Sequence, residues 1–478
     1  MPAFPFKPAL AIVTFLGIVA AFPRMSLDLR SLDRATVQAV VDFSLERLGT
    51  GEIQEAVLPS KADARLVDPS GALAGFYAAL ELTERRDPGA ITRIVHYGDS
   101  PTTADLITGD LRQLLQRRFG DAGHGFSLVA KPWAWYEHRD VGLRDSGWTI
   151  TAASMPGKND GLFGLGGVSF QSVDASSRLA LRDPSHTGAQ IDYLKQPGGG
   201  SFSVSADGVV LGSVPTDGPA RTAGFAHFPL PAKGTRIIEI HTTGGGPVRL
   251  FGIILEKNGP GISYDSLGMN GAHVALLAHQ FNETHWAEQL QHRRPDLVVL
   301  NYGTNESGFA SFVGGTYEKE LRLVVKRLRR ALPDVSLLLM SPMDRAERVA
   351  GGEIVTLTTI PKLVAIQERV ASETGCAFFN TFEAMGGQGT MARWYEAHPR
   401  LVSADFIHPA PAGAKLVGNL LYQALTDGFT KYKLKRMRER YNVAGAGTPK
   451  TAQASHDSSR IGTPFRPLPL SRPGQAKE

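Results

Sequence analysis

The sequence predicts a three-layer α/β/α domain on a parallel sheet, interrupted by an inserted antiparallel β-sandwich. Short, nearly continuous apolar runs alternate with helical segments before residue 150 and again after 259, the pattern of parallel strands covered on both faces. Between 151 and 258 glycine and serine rise, helical spacing disappears and strand alternation takes over.

Taken in order, residues 1–25 read as a signal peptide or N-terminal anchor. The apolar run Ala9–Phe22 follows Lys7, is short for a full span, and ends near the small residues Val19-Ala20-Ala21. Residues 26–89 read as helical, with "TVQAVVDFSLERLG" and "ALAGFYAALELTERRD" both carrying helical spacing, and Asp87-Pro88-Gly89 ends the pattern. In 90–150, "ITRIVHYGD" is a buried strand, followed by a helix in "LITGDLRQLLQRRFG" with Ile107, Leu111, Leu114 and Leu115 on one face and Gly120 at its end.

In 151–258, "SFSVSADGVVLGSV" reads as a hairpin turning at Asp207-Gly208, and "TRIIEIHTTGGGPVRLFGIILEK" as a second strand pair around a glycine-rich turn. Through 259–430, "AHVALLAHQFNETHWAEQLQHRRP" is read as one helix, then "DLVVLNYG" as a strand. "TYEKELRLVVKRLRRALP", "VSLLLMSP", "IPKLVAIQERVASETG", "CAFFNTF" and "APAGAKLVGNLLYQALTDGF" continue the alternation. Residues 431–478 combine the basic end of the last helix, "KYKLKRMRER", with a tail from Asn442 whose composition predicts disorder.

The chain has 478 residues and a formal net charge of +5, with no basic stripe interleaved with aromatics in its body, which argues against nucleic acid as a partner. The single cysteine, Cys376, excludes an intramolecular disulfide and sits in an apolar run that reads as a buried strand. His273, His279 and His285 lie on or near one helix without a matching carboxylate or cysteine set, so no zinc site is assigned.

Four short segments stand at strand ends or helix starts: Gly98-Asp99-Ser100, "SLGMNGAH" with Gly271, "NYGTNES" with Asn305, and "SADFIHPAPAGA" with Asp405 and His408. Open α/β sheets bind ligands beyond the carboxyl ends of their strands, so distant segments can meet in one crevice. Acyl transfer to a serine needs a nucleophile, a base, an orienting carboxylate and donors for an oxyanion. Ser100, His408 and Asp405 fit the first three roles. The N–H groups of Ser100 and Gly271 and the side-chain amide of Asn305 fit the fourth. Pro101 has no N–H to lend, which excludes the hydrolase arrangement in which the residue after the nucleophile donates to the oxyanion. Read as a cap, Ser100 precedes a helix with Pro101 at its first position.

These blocks, in this order, resemble the SGNH (GDSL-type) hydrolase superfamily, and Asp405-x-x-His408 has that family's spacing. "YDSLGMNGA", "YGTNE" and the large β insertion are similar to the peptidoglycan O-acetylesterases, in which a carbohydrate-binding-module-like β domain occupies that place. The resemblance implies a flavodoxin-like SGNH fold and removal of O-acetyl groups from a cell-wall sugar, without a metal or nucleotide cofactor, while the N-terminal apolar run predicts export to the periplasm or outside the cell. Two positions depart from the family pattern: Pro101 replaces a common leucine or histidine, and Glu306 replaces a common aspartate, although the O-acetylesterase-like subset also carries glutamate there. Trp133 and Trp135 in "KPWAWYEH" are candidates for a sugar-stacking platform or for core. Three other functions fit the same sequence: an O-acetyltransferase of the same superfamily, a non-catalytic wall-binding protein whose β insertion does the binding, and a lipid or aryl esterase, to which "GFSLVAKPWAW" offers apolar surface.

Overall fold

A computed structural model describes residues 66–445, with side chains to 439. Residues 1–65 and 446–478, which include the apolar N-terminal run, the helix read in 36–49 and most of the tail, lie outside the described residues.

The central sheet has six strands: β1 (Leu66–Val67), β2 (Ile91–Gly98), β3 (Gly261–Gly268), β4 (Leu297–Asn301), β5 (Ser336–Met340) and β6 (Ala377–Phe379). Their order is β1-β6-β5-β4-β2-β3. Every pairing is parallel except that of β1, which runs antiparallel to β6 along one edge. Strands β3, β4 and β5 are buried along their whole length; β4 and β5 are accordingly apolar without alternation, whereas β3 carries the buried Asp265. The sequence reading placed residues 66–67 in a helical region; a two-residue edge strand is too short to leave a period.

Helices α1 (Ala74–Glu84), α2 (Ser100–Thr103), α3 (Leu106–Phe119), α4 (Val274–His279), α5 (Glu283–Arg293), α6 (Tyr317–Ala331), α7 (Thr359–Thr374) and α8 (Pro411–Gly445) accompany this sheet. Helices α1, α3 and α8 pack together through Tyr77, Phe119 and Phe429, with Phe119 edge-on to Phe429 at 5.7 Å. The segment read as one helix over 272–295 is two, α4 and α5. Asn282 breaks it by turning its side-chain oxygen onto the N–H of His285 at 3.0 Å, a local bond that competes with helix continuation. Helix α8 runs to Gly445, so the reading of disorder from Asn442 is corrected for 442–445.

Most strands among the described residues are antiparallel rather than parallel. One sheet contains Val209–Pro215, Ser201–Ala206, Ile237–Gly244, Ser176–Leu181 and Val141–Ser146 in that order. Another contains Thr222–Pro229, Gly188–Lys195, Val248–Glu256, Val168–Ser172 and Thr149–Ala152, with Gly125–Ser127 pairing to the 248–256 strand. Some of these strands begin ahead of residue 151. The hairpin at Asp207-Gly208 forms as read, both residues having positive φ (48° and 80°). The second strand pair does not form. Ile237–Gly244 and Val248–Glu256 belong to different sheets, and the glycines between them carry the chain across. Ile237–Gly244 begins with alternating burial and Val248–Glu256 is buried almost throughout, and neither pattern tells a hairpin from a crossover. Tyr193 of one sheet meets Phe202 of the other edge-on at 5.5 Å.

A buried charge cluster joins the second antiparallel sheet to the central one. Arg293, at the end of α5, donates from Nε and Nη2 to Asp265 of β3 at 2.6 and 2.8 Å, and from Nη1 to Glu256 at 2.5 Å. Arg93 of β2 reaches both oxygens of Glu256 at 3.0 and 2.9 Å. The Arg293 and Asp265 side chains are 3 % and 0 % exposed, so removing the cation leaves carboxylates that water cannot solvate. We expect Arg293→Met to lower the unfolding free energy by about 3–5 kcal/mol, read from urea denaturation.

Candidate active site

Strand β2 lies at a switch point: its chain neighbour β3 pairs on one side and β4 on the other. A crevice opens where successive connections leave a sheet in opposite directions, and three of the predicted segments follow these three strands. Gly98 and Gly268 end β2 and β3 in register. A Cβ on Gly98 would lie 2.2 Å from Thr102 Oγ1, and one on Gly268 would lie 2.1 Å from the Thr103 nitrogen. Both strand ends must therefore be glycine for α2 to fold back over them, which fixes Ser100 at the mouth of the crevice.

Asp99 occupies the cap position and Ser100 the first position of α2, one residue on from the cap read in the sequence. The Asp99 carbonyl accepts the N–H groups of Thr102 and Thr103. The Ser100 hydroxyl makes no cap bond; its Oγ lies 2.8 Å from His408 Nε2. The serine is thus free of structural duty and paired to a base.

His408 sits in a turn ahead of α8. Asp405 shapes that turn by accepting the N–H groups of Ile407 and His408 on Oδ1, at 2.9 and 3.0 Å. Its other oxygen, Oδ2, lies 2.7 Å from His408 Nδ1. That bond places the proton on Nδ1 and leaves Nε2 to accept from Ser100. The hydrogen bond to Asp405 raises the His408 pKa above that of an ordinary imidazole. Burial pushes the Asp405 carboxyl up, but its bonds to the His408 ring and to two backbone amides outweigh this and leave it at about 2.

Gly271 follows β3 with φ +68°, in the left-handed region that glycine enters without strain. Among the described residues the N–H groups of Ser100 and Gly271 have no internal acceptor. Asn305 follows β4, and its Nδ2 donates to the Ala272 carbonyl at 2.8 Å. One amide hydrogen is spent on that bond and the second remains for a ligand.

Behind this mouth lies a layer that the motifs do not single out. The Asp99 side chain is 2 % exposed, and burial pushes its carboxyl up to about 6. Arg345 donates from Nη1 to the Thr304 carbonyl at 2.7 Å and to Ser307 Oγ at 3.2 Å, bracing the Asn305 loop from outside. It lies in no motif, so only the folded chain reveals it. His96 is fully buried and bonded to the Tyr264 hydroxyl at 2.7 Å, away from any chemistry. His273, His279 and His285 do not converge: His279 pairs with Glu320, while His285 packs edge-on against Phe251. Trp133 is half-buried against the core and Trp135 is 74 % exposed. Their loop touches α2 through the Glu137 N–H, which donates to the Thr103 carbonyl at 3.2 Å.

The set can carry a proton from Ser100 to His408 and offer three N–H donors to a developing oxyanion. Residues 232–416 match the family model of the GDSL-like lipases/acylhydrolases, a span that holds Gly271, Asn305, Asp405 and His408 and leaves Ser100 upstream. Among solved structures, the chain shares its fold with a peptidoglycan O-acetylesterase: TM-score 0.66, 23 % identity, 77 % of this chain and 99 % of that one covered. A family two carbohydrate esterase from Clostridium thermocellum, in complex with cellohexaose, aligns at 13 % identity and TM-score 0.28 over 59 % of this chain and 99 % of its own. No curated protein sequence matches the chain. Over residues 232–416 the chain is thus similar to the GDSL-like lipases/acylhydrolases, and its fold is similar to that of the matched esterase.

Proposed function

We propose that this protein is an exported serine esterase that removes O-acetyl groups from a polysaccharide, with peptidoglycan as its substrate. The observation that carries the reading is the hydrogen-bonded series Asp405–His408–Ser100, set beside two further donor loops at the switch point of a parallel sheet. The fold shared with a peptidoglycan O-acetylesterase supports the choice of substrate.

In this reading Ser100 Oγ attacks the acetyl carbonyl while His408 Nε2 takes its proton. Negative charge builds on the carbonyl oxygen, between the N–H groups of Ser100 and Gly271 and the free hydrogen of Asn305. His408 then returns the proton to the departing sugar oxygen, leaving an acetyl group on Ser100. Water enters and adds to the acetyl carbon as His408 takes its proton; His408 then returns that proton to Ser100 Oγ as the acyl bond breaks and acetate leaves. Asp405 stays ionised throughout and holds the imidazole in one tautomer. The two antiparallel sheets form a sandwich that engages the glycan, and Trp135, exposed next to α2, stacks on a sugar ring beyond the scissile ester. Export and membrane attachment rest on the apolar run Ala9–Phe22, outside the described residues.

The purified protein is expected to release acetate from O-acetylated peptidoglycan faster than from acetylated xylan or an aryl acetate. Ser100→Ala should lower turnover on all of them by about 10³-fold or more, with acetate assayed enzymatically; unchanged release by that variant would refute the reading. An acetyltransferase would instead move acetyl to an added glycan acceptor.

The base must be neutral to act, and His408 binds its proton more tightly than a free imidazole does. Turnover should therefore fall as pH drops, with an acid limb centred above 6.5 in a plot of kcat/KM against pH. Asp405→Asn should lower that limb and reduce kcat by about 10²–10⁴-fold.

A further inference from the structure

The donors at Gly271 and Asn305 hang from different strands, β3 and β4, and must keep a fixed spacing around one oxygen atom. Glu306 spans the gap between their loops. It is 1 % exposed, and each of its carboxyl oxygens meets a backbone donor from a different loop. Oε1 accepts the N–H of Val274 at 2.7 Å, just beyond Gly271. Oε2 accepts the N–H of Gly303 at 3.0 Å, just ahead of Asn305. The Asn305–Ala272 bond crosses the same gap in the opposite sense, so the two loops are tied twice.

A buried carboxyl is a costly tie, since apolar packing would hold two loops more cheaply. Burial pushes its pKa up to about 7, and the nearby Asp99 carboxyl also raises it. Such a group is well suited where two N–H donors from different loops must be held at one distance. We propose that Glu306 is a positioning residue: by accepting from both loops at once it sets the spacing between the Gly271 and Asn305 donors. This rests on the esterase reading above.

The test uses the full chain and an aryl acetate, so that kcat and KM separate donor spacing from glycan binding. Glu306→Gln keeps the shape and one acceptor but turns an NH₂ group toward a backbone donor. It should lower kcat by about ten- to a hundredfold with KM within about threefold. Binding of an alkylboronic acid, whose tetrahedral adduct on Ser100 needs the same donors, should weaken in parallel.

Val274→Pro provides a second route that leaves the carboxyl in place. Val274 is the first residue of α4, where proline is tolerated, and His273 before it is already extended at φ −131°, ψ 159°. This variant deletes the donor to Oε1, with a proline ring in place of the buried valine side chain, and should lower kcat in the same direction. It decides the matter alone if Glu306→Gln does not fold. Folded variants with kcat within about twofold of the parent would overturn the positioning role. A parent protein that hydrolyses no ester would instead overturn the esterase reading.

Discussion

The site depends on one hydrogen bond, between Ser100 Oγ and His408 Nε2, across a sequence separation of 308 residues. The Ser100 hydroxyl has no other bond to hold it there, and the His408 ring has only its bond to Asp405. The contact exists because the carboxyl end of β2 and the turn before α8 arrive at the same place, and each arrival has its own local cause. Gly98 and Gly268 give α2 room to lie against the strand ends. Asp405 gathers two backbone amides and the imidazole onto one carboxylate, so the turn and the tautomer are set together. A change that moves either arrival by an ångström parts the base from the nucleophile.

The sheet order explains how four short motifs spread from Gly98 to His408 meet. With β3 and β4 flanking β2, the loops carrying Gly271 and Asn305 lie on either side of Ser100. The antiparallel sheets inserted between β2 and β3 leave this arrangement intact, since Gly261–Gly268 returns in register beside Ile91–Gly98. The Arg293–Asp265–Glu256 cluster anchors the insertion at the base of these same strands, so the added sheets and the crevice share a foundation.

Much of this was legible in the sequence, because its signals are local. Continuous apolar runs give β4 and β5, while β3, with Ser263, Asp265 and Ser266 in it, leaves no such signal. Asp207-Gly208 specifies a hairpin by its own backbone preference. Ser100, Asp405 and His408 stand in contiguous segments whose residue types match a chemical need. What the sequence hid depends on partners far away. The glycines after Ile237–Gly244 look the same whether the next strand returns to its neighbour or crosses to another sheet. Arg345 lies in no motif and acquires meaning only where its guanidinium meets the Thr304 carbonyl. Glu306 was visible as a departure from a family pattern, yet its use became apparent only when Val274 and Gly303 were seen on its two oxygens.

The central claim is that Ser100 becomes acylated. The most direct measurement is mass spectrometry of the protein acid-quenched while turning over an aryl acetate, followed by peptide mapping. The account predicts one added acetyl group on the peptide containing Ser100, absent when the quench follows complete turnover. Acetate released with no acetyl on that peptide at any quench time, or with the acetyl on another residue, would contradict it.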